Sequence, residues 1–245
     1  MLSRTSQLAS AILLSACFAG AYAQTPAAPA KTPADALAPA QAFVEPGDST
    51  QWEPDIVAFE EVDSRVRRRP GGVVFVGSSS IRFWDTLAQD FPGVDTLNRG
   101  FGGSRVRDAT WYADRIVTPY QPRAVVFYAG DNDLMEGRSA DQVAADFAAF
   151  VDKVHVAQPQ VRIAFVSIKP SPSRAMLLPQ IRQANALVRD YAAAHDDVDY
   201  LDVYTPMVDG TGLPRDELFI DDRLHMNAQG YALWATVVRP WLDAL

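Results

Sequence analysis

The feature that most constrains this chain is an alternation. Five short apolar runs, at residues 73–76, 96–98, 124–128, 161–168 and 198–203, are separated by stretches with helical spacing. Runs that stay apolar, rather than alternating with polar residues, suit strands buried on both faces. Strands of that kind with helices between them predict a three-layer α/β/α sandwich around a five-stranded parallel sheet. The clearest helix starts at a capping box, Ser139 with Gln142, and carries Val143, Phe147, Val151 and Val154 at helical intervals. Another carries Ile181, Ala184, Val188 and Tyr191, with Pro179 tolerated in its first turn. The last runs from about Asn227, a suitable cap, with Tyr231, Trp234 and Val238 facing inward.

In an open parallel sheet, ligands bind beyond the C-terminal ends of the strands. The first strand is followed by Gly77-Ser78-Ser79-Ser80, the second by "NRGFGGS" (98–104) and the third by "AGDND" (129–133). "KPSPSR" (169–174) follows the fourth, and a longer loop ending in "FIDDRLHMNAQGY" follows the fifth. Each has a bland reading. Ser-rich turns are common, Asn132 and Asp133 could cap a turn, and Asp222 with His225 could be a surface ion pair. "GFGGS" lacks the full G-x-G-x-x-G of a dinucleotide site and follows the second strand rather than the first. None of these readings explains why all the motifs fall on one edge of one sheet.

The chemistry that would use them together is acyl transfer. A serine hydroxyl needs a base to take its proton, and an imidazole suits that role near neutral pH. Asp222 and His225 stand three apart before a helix start, so a turn lets the carboxylate hold one ring nitrogen and leaves the other for the serine. Backbone N–H groups of a glycine-rich turn and an asparagine amide can receive the oxyanion. Ser78, Ser79 and Ser80 all offer a hydroxyl, and Asp221 adjoins Asp222.

"GSSS", "NRGFGGS", "GDND" and "DRLH" resemble, in order, the four sequence blocks of the SGNH hydrolases, also called GDSL-type esterases and lipases, over about residues 71–241. The resemblance implies a flavodoxin-like sandwich that hydrolyses esters through a serine, without a cofactor. Carried over by position, it makes Ser79 the nucleophile, with Ser80 next in line, and Asp222 and His225 the acid and base. It assigns the oxyanion hole to the Ser79 N–H, Gly103 and Asn132. The first block departs from the family's Gly-Asp-Ser, because Ser78 stands at the aspartate position. Arg99, Phe101, Lys169 and Arg174 lie in the loops expected to touch substrate.

The remaining sequence narrows partners and address. A formal net charge of −8 disfavours nucleic acid, and the basic cluster 65–70 reads as solvated surface at the end of a short helix. His155 and His195 sit late in helices without a motif, and there is no H-E-x-x-H or cysteine pair to indicate a metal. Residues 1–23 read as a secretory signal: Arg4, a short apolar stretch, and Ala21-Tyr22-Ala23 before Gln24. "LSAC" ending at Cys17, the chain's single cysteine, offers lipidation and a membrane tether as the competing reading. Residues 24–50 form an Ala/Pro-rich leader expected to be flexible, and 51–245 the hydrolase domain. The expected protein is thus exported to the periplasm or beyond. Its expected substrates are small-molecule or carbohydrate esters, acetylated sugars first, with short-chain lipid esters or thioesters as alternatives. A noncatalytic glycan- or peptide-binding module is the competing class. Composition carries no signal of oligomeric state.

Overall fold

The computed structural model describes residues 49–245. The expected signal segment 1–23, Cys17 and the leader up to residue 48 lie outside the described residues. In chain order the elements are α1 (Glu53–Arg65), β1 (Val73–Gly77), α2 (Ser79–Arg82), α3 (Leu87–Asp90), β2 (Thr96–Gly100) and α4 (Val106–Ile116). There follow β3 (Ala124–Tyr128), α5 (Asp131–Met135), α6 (Ala140–Ala157), β4 (Arg162–Val166), α7 (Leu178–Ala193), β5 (Val198–Leu201) and α8 (Ala228–Asp243).

The five strands form one parallel sheet in the order β2-β1-β3-β4-β5. This is the flavodoxin-like order, in which the chain winds outward from β1 in both directions and opens a crevice between the ends of β1 and β3. The pleat sends Val74, Val76, Val125, Phe127, Ile163 and Phe165 to a core shared with α1, α4, α6 and α7. Their neighbours Val73, Phe75, Val126, Tyr128 and Val166 face a second core, closed by Trp84, Leu87 and the Tyr231, Trp234 and Val238 face of α8. Both faces of the sheet are therefore dry, as unbroken apolar strands require.

Local signals act where the sequence places them. Ser139 Oγ accepts from the Gln142 N–H at 3.2 Å while Gln142 Oε1 accepts from the Ser139 N–H at 2.9 Å. Asn227 Oδ1 accepts from Gln229 and Gly230 at the start of α8. Strand ends differ from expectation by a few residues. β2 continues through Arg99 to Gly100, and β4 stops at Val166 because Asn185 of α7 claims both the N–H (2.8 Å) and the carbonyl (2.9 Å) of Ile168. His195 lies just beyond α7 rather than in it, with Nδ1 2.7 Å from the Tyr191 carbonyl. The packed domain also begins before residue 51. Ser49 is buried, its hydroxyl donates to Asp108 at 2.7 Å, and its carbonyl accepts from the Tyr112 hydroxyl at 2.9 Å. Among the described residues no helix is long and apolar enough to cross a membrane.

The tightest approach in the sheet is at the C-terminal end of β1. Gly77 has φ +141°, and a Cβ built there would lie 1.8 Å from the Tyr128 carbonyl oxygen of β3. Gly77→Ala must push the two central strands apart or break their ladder. The expected loss is about 2–3 kcal/mol or more, seen as a melting temperature lower by roughly 5–10 °C. A Gly77→Ala protein that melts with wild type would show that this contact is soft.

Candidate active site

The three serines after β1 are sorted by backbone geometry. Ser78 is extended (φ −85°, ψ −162°) and donates its N–H to the Tyr128 carbonyl at 3.0 Å. Its own carbonyl then accepts from the Ile81 and Arg82 N–H groups, which starts α2. That turn leaves Ser78 and Ser80 buried and only Ser79 partly open to solvent. The Ser80 carbonyl is further tied down by the Tyr231 hydroxyl at 3.1 Å. The Ser79 hydroxyl lies 2.9 Å from His225 Nε2.

His225 is presented by a tight turn after β5. Asp222 Oδ1 accepts from the N–H groups of Leu224 and His225, both at 2.9 Å, which leaves Oδ2 2.5 Å from His225 Nδ1. Burial pulls the Asp222 carboxyl upward, but the imidazole and the two backbone donors outweigh it and hold it at about 2. An ionised carboxylate can only accept, so the ring proton belongs on Nδ1, and Nε2 is left with a lone pair toward Ser79. The turn requires Arg223 at φ +57°, a left-handed conformation costly for a side chain with a Cβ. Three contacts hold it: the Arg223 guanidinium reaches Asp216 at 2.9 Å, the Arg223 N–H donates to the Ile220 carbonyl at 2.8 Å, and the Arg223 carbonyl accepts from the Ser173 N–H at 3.0 Å. The Phe83 ring meets the imidazole edge to face, 4.9 Å between centroids, and limits its rotation.

The opposite wall comes from the loops after β2 and β3. The Gly77 carbonyl accepts from the Phe101 N–H at 2.9 Å and from Ser104 Oγ at 3.2 Å, which draws the glycine-rich loop up beside Ser79. Within it Gly103 has φ +76° with nothing within 4 Å of a would-be Cβ, so conformation rather than crowding calls for glycine. Among the described residues no backbone carbonyl takes the N–H of Ser79 or of Gly103. Asn132, in the first turn of α5, donates from Nδ2 to the Ser104 carbonyl at 3.0 Å and accepts at Oδ1 from Arg174 Nη2 at 2.8 Å. A hydroxyl, a base oriented by a carboxylate, and three N–H donors thus converge on one edge of the sheet. Such a set can form an acyl-enzyme and stabilise the oxyanion that precedes it. Among the described residues no group of three or more His, Cys, Asp or Glu is arranged to hold a metal ion.

Several residues expected at the substrate lie elsewhere. Arg99 belongs to β2, not to the loop, and its side chain is 4% exposed beneath α1. There it meets Asp63 at 2.5 Å and the Tyr120 hydroxyl at 2.9 Å, so it anchors α1 and cannot reach a ligand in the crevice. Phe101 is fully buried between Trp52 and Tyr112, part of the core. Lys169 is buried too, with Nζ 3.0 Å from Asp131 and 3.2 Å from the Tyr128 hydroxyl. Arg174 does reach the site but turns onto Asn132 and, at 3.1 Å, onto Asp131. Asp131 and Phe83 were not singled out by the sequence reading. The available signal for Asp131 was an acid after β3 opposite two cations after β4, on the same sheet edge.

The model of the GDSL-like lipase/acylhydrolase family matches residues 63–233. The chain is 30% identical over 169 residues to platelet-activating factor acetylhydrolase IB subunit alpha1 of Homo sapiens, covering 65% of this chain and 70% of that protein. A GDSL-like lipase from Bacteroides thetaiotaomicron shares the fold with a TM-score of 0.65 at 21% identity, over 81% of this chain and 98% of the other. A carbohydrate esterase family 3 structure from Talaromyces cellulolyticus does so with a TM-score of 0.57 at 17% identity, over 71% and 97%.

Asp133, next to Asn132, ties α5 to α4 by accepting the Val106 N–H with both oxygens at 3.2 Å. Burial pushes its carboxyl up to about 7, helped by Asp146 and Asp108, against the pull of the Val106 N–H. The native state therefore keeps a proton that the unfolded chain, with an ordinary carboxyl near 4, has released. Stability from this group is full below about pH 4 and is lost as pH rises towards 7. Asp133→Asn keeps an acceptor without the charge. Its melting temperature should match wild type near about pH 4 and exceed it increasingly up to about pH 8; parallel profiles would rule out a buried, protonated Asp133.

Proposed function

The chain belongs to the GDSL-like lipase/acylhydrolase family and is a hydrolase of ester bonds; from that premise we propose that it is an exported serine esterase that removes small acyl groups, acetyl first, from carbohydrates. The observation that carries the mechanism is the relay of Ser79 Oγ, His225 and Asp222, at 2.9 Å and 2.5 Å. On this reading Ser79 Oγ attacks the ester carbonyl carbon as its proton passes to His225 Nε2. The oxyanion rests on the N–H groups of Ser79, Gly103 and Asn132. The C–O bond to the alcohol then breaks, with the proton delivered from Nε2 to the departing oxygen. Water attacks the acyl-enzyme, gives its proton to Nε2, and releases the acid as the proton returns to Ser79 Oγ. Asp222 keeps the ring in the required tautomer throughout.

Support for a small acyl group comes from the relatives: one is named an acetylhydrolase and one structural neighbour a carbohydrate esterase. A second reading, short-chain lipid esters or thioesters, draws on the exposed apolar side chains of Phe83, beside the imidazole, and Ile220, whose N–H donates to the His225 carbonyl. The deciding experiment measures acetate release from acetylated xylan and hydrolysis of a small activated ester and a short-chain lipid ester. It compares wild type with Ser79→Ala and Ser80→Ala. Ser79→Ala is expected to lose at least about 10³-fold in kcat, while Ser80→Ala stays within about tenfold. Wild type inert on every ester would favour a binding module. A Ser79→Ala protein at full rate would move the nucleophile elsewhere.

Export rests on residues 1–23. The mass of the mature protein from a Gram-negative host should correspond to a chain beginning at Gln24. A diacylglyceryl adduct on Cys17 would instead indicate a tethered lipoprotein, and an unprocessed chain would oppose export.

A further inference from the structure

Behind Asn132 lies a group of buried charges that the proposed chemistry does not touch. Asp131 Oδ2 is shared by Lys169 Nζ at 3.0 Å and Arg174 Nη1 at 3.1 Å, and Arg174 Nη2 continues to Asn132 Oδ1 at 2.8 Å. Side-chain exposures are 6% for Asp131, 1% for Lys169 and 13% for Arg174. A buried ion pair is by itself weak evidence of added stability, since replacing such groups by apolar ones is often neutral or better. Their geometry instead bears on one side chain. Asn132 has two possible amide orientations that differ by exchange of its oxygen and nitrogen. A guanidinium only donates, so the atom it touches must be oxygen; the Ser104 carbonyl only accepts, so the atom 3.0 Å from it must be nitrogen. Both contacts select the same orientation, and among the described residues no acceptor takes the second N–H of that nitrogen.

We propose that Arg174 is a positioning residue that locks the Asn132 amide with its free N–H toward the oxyanion. The inference rests on the proposed role of Asn132 as an oxyanion donor. The lock also carries charge. Burial raises the Asp131 carboxyl, but the neighbouring Lys169 and Arg174 cations overcome that and hold it down, so Asp131 stays ionised and anchors the guanidinium. The backbone of Ile168, next to Lys169, is clamped by Asn185, and the Ser173 N–H donates to the Arg223 carbonyl at 3.0 Å. The segment that carries Arg174 is therefore braced against α7 on one side and against the turn that carries Asp222 and His225 on the other. Without Arg174 the amide keeps a single contact, to Ser104, and can swing or flip so that oxygen faces the oxyanion.

The test is a double-mutant cycle of Arg174→Ala and Asn132→Ala on a small activated acetyl ester, with Ser79→Ala as the chemical null. Asn132→Ala should cost about 10²–10³-fold in kcat, and Arg174→Ala about 10- to 100-fold, with KM within about threefold. In the Asn132→Ala background, Arg174→Ala should cost less than about twofold more, because the residue it positions is gone. Free guanidinium at millimolar, non-denaturing concentration should restore part of the rate to Arg174→Ala and none to Asn132→Ala. Lys169 remains to pair Asp131, so Arg174→Ala is expected to fold, and a far-UV spectrum and melting curve check it. Losses that multiply in the double variant, or a raised KM at unchanged kcat, would overturn the proposal, the latter by making Arg174 a substrate contact. Full activity in Asn132→Ala would instead remove the oxyanion role on which it rests, and a Ser79→Ala protein that still turns over would remove the whole reading of the site.

Discussion

The carbonyl of Gly77 and the strand end around it hold the crevice together. As β1 finishes, that carbonyl accepts from the Phe101 N–H and the Ser104 hydroxyl, and the next N–H, of Ser78, crosses to the Tyr128 carbonyl on β3. Three chain segments from three neighbouring strands meet there within hydrogen-bonding distance. The meeting is possible because the parallel order β2-β1-β3 puts their C-terminal ends side by side, and because residue 77 has no Cβ to hold β3 away. Once the strand end is set, the positions of Ser79, Gly103 and Asn132 follow from one to three further residues of backbone each. The imidazole is the exception, since it comes from a turn beyond β5 at the far side of the sheet. It needs its own scaffolding, which the left-handed Arg223, Asp216, Ser173 and Phe83 provide.

Two arginines on this sheet edge, Arg99 buried and Arg174 largely shielded, do different work. Arg99 sits under α1 with Asp63, the Tyr120 hydroxyl and the Phe59 ring, a set that docks a helix and satisfies every charge it buries. Arg174 shares its acid with Lys169 and directs Nη2 to the Asn132 amide oxygen. Burying an ion pair seldom adds much stability. For Arg99 the return is docking of α1 onto β2; for Arg174 the proposed return is the orientation of one neutral side chain.

The sequence made the sheet legible because its three central strands, β1, β3 and β4, are almost wholly apolar on both pleat faces, and it made two helix starts legible because Ser139 and Asn227 are caps with local geometry. Asp222 and His225 were legible for a related reason: their contact closes within one turn and needs no long-range information. What could not be read was the direction of side chains at strand ends. Ending β2 at residue 98 made Arg99 and Phe101 loop residues, whereas the ladder runs on to Gly100 and the pleat carries Arg99 under α1. The choice among three serines depended on the φ and ψ of Ser78, which its type does not dictate. The contact of Arg174 with Asn132 spans 42 residues, and composition offers Arg174 no reason to turn toward an amide rather than toward a ligand.

The two sides of the site differ in how they handle charge. The relay is comparatively open, with side-chain exposures of 21% for His225 and 43% for Asp222. Water screens the attraction between two such groups, so Coulomb energy alone would hold the ring loosely. Geometry compensates: two backbone N–H groups fix one carboxylate oxygen so that the other can point only at Nδ1. On the oxyanion side the groups behind Asn132 are almost dry, and there a fixed charge or dipole acts at low effective dielectric. In the proposed reaction the imidazolium forms on the wet side, where solvent helps carry it, and the oxyanion forms on the dry side, where preoriented donors act without having to reorganise. With Lys169 fully buried and Arg174 largely shielded behind the amide, the proposed role of these cations is to fix Asn132 rather than to meet the oxyanion themselves.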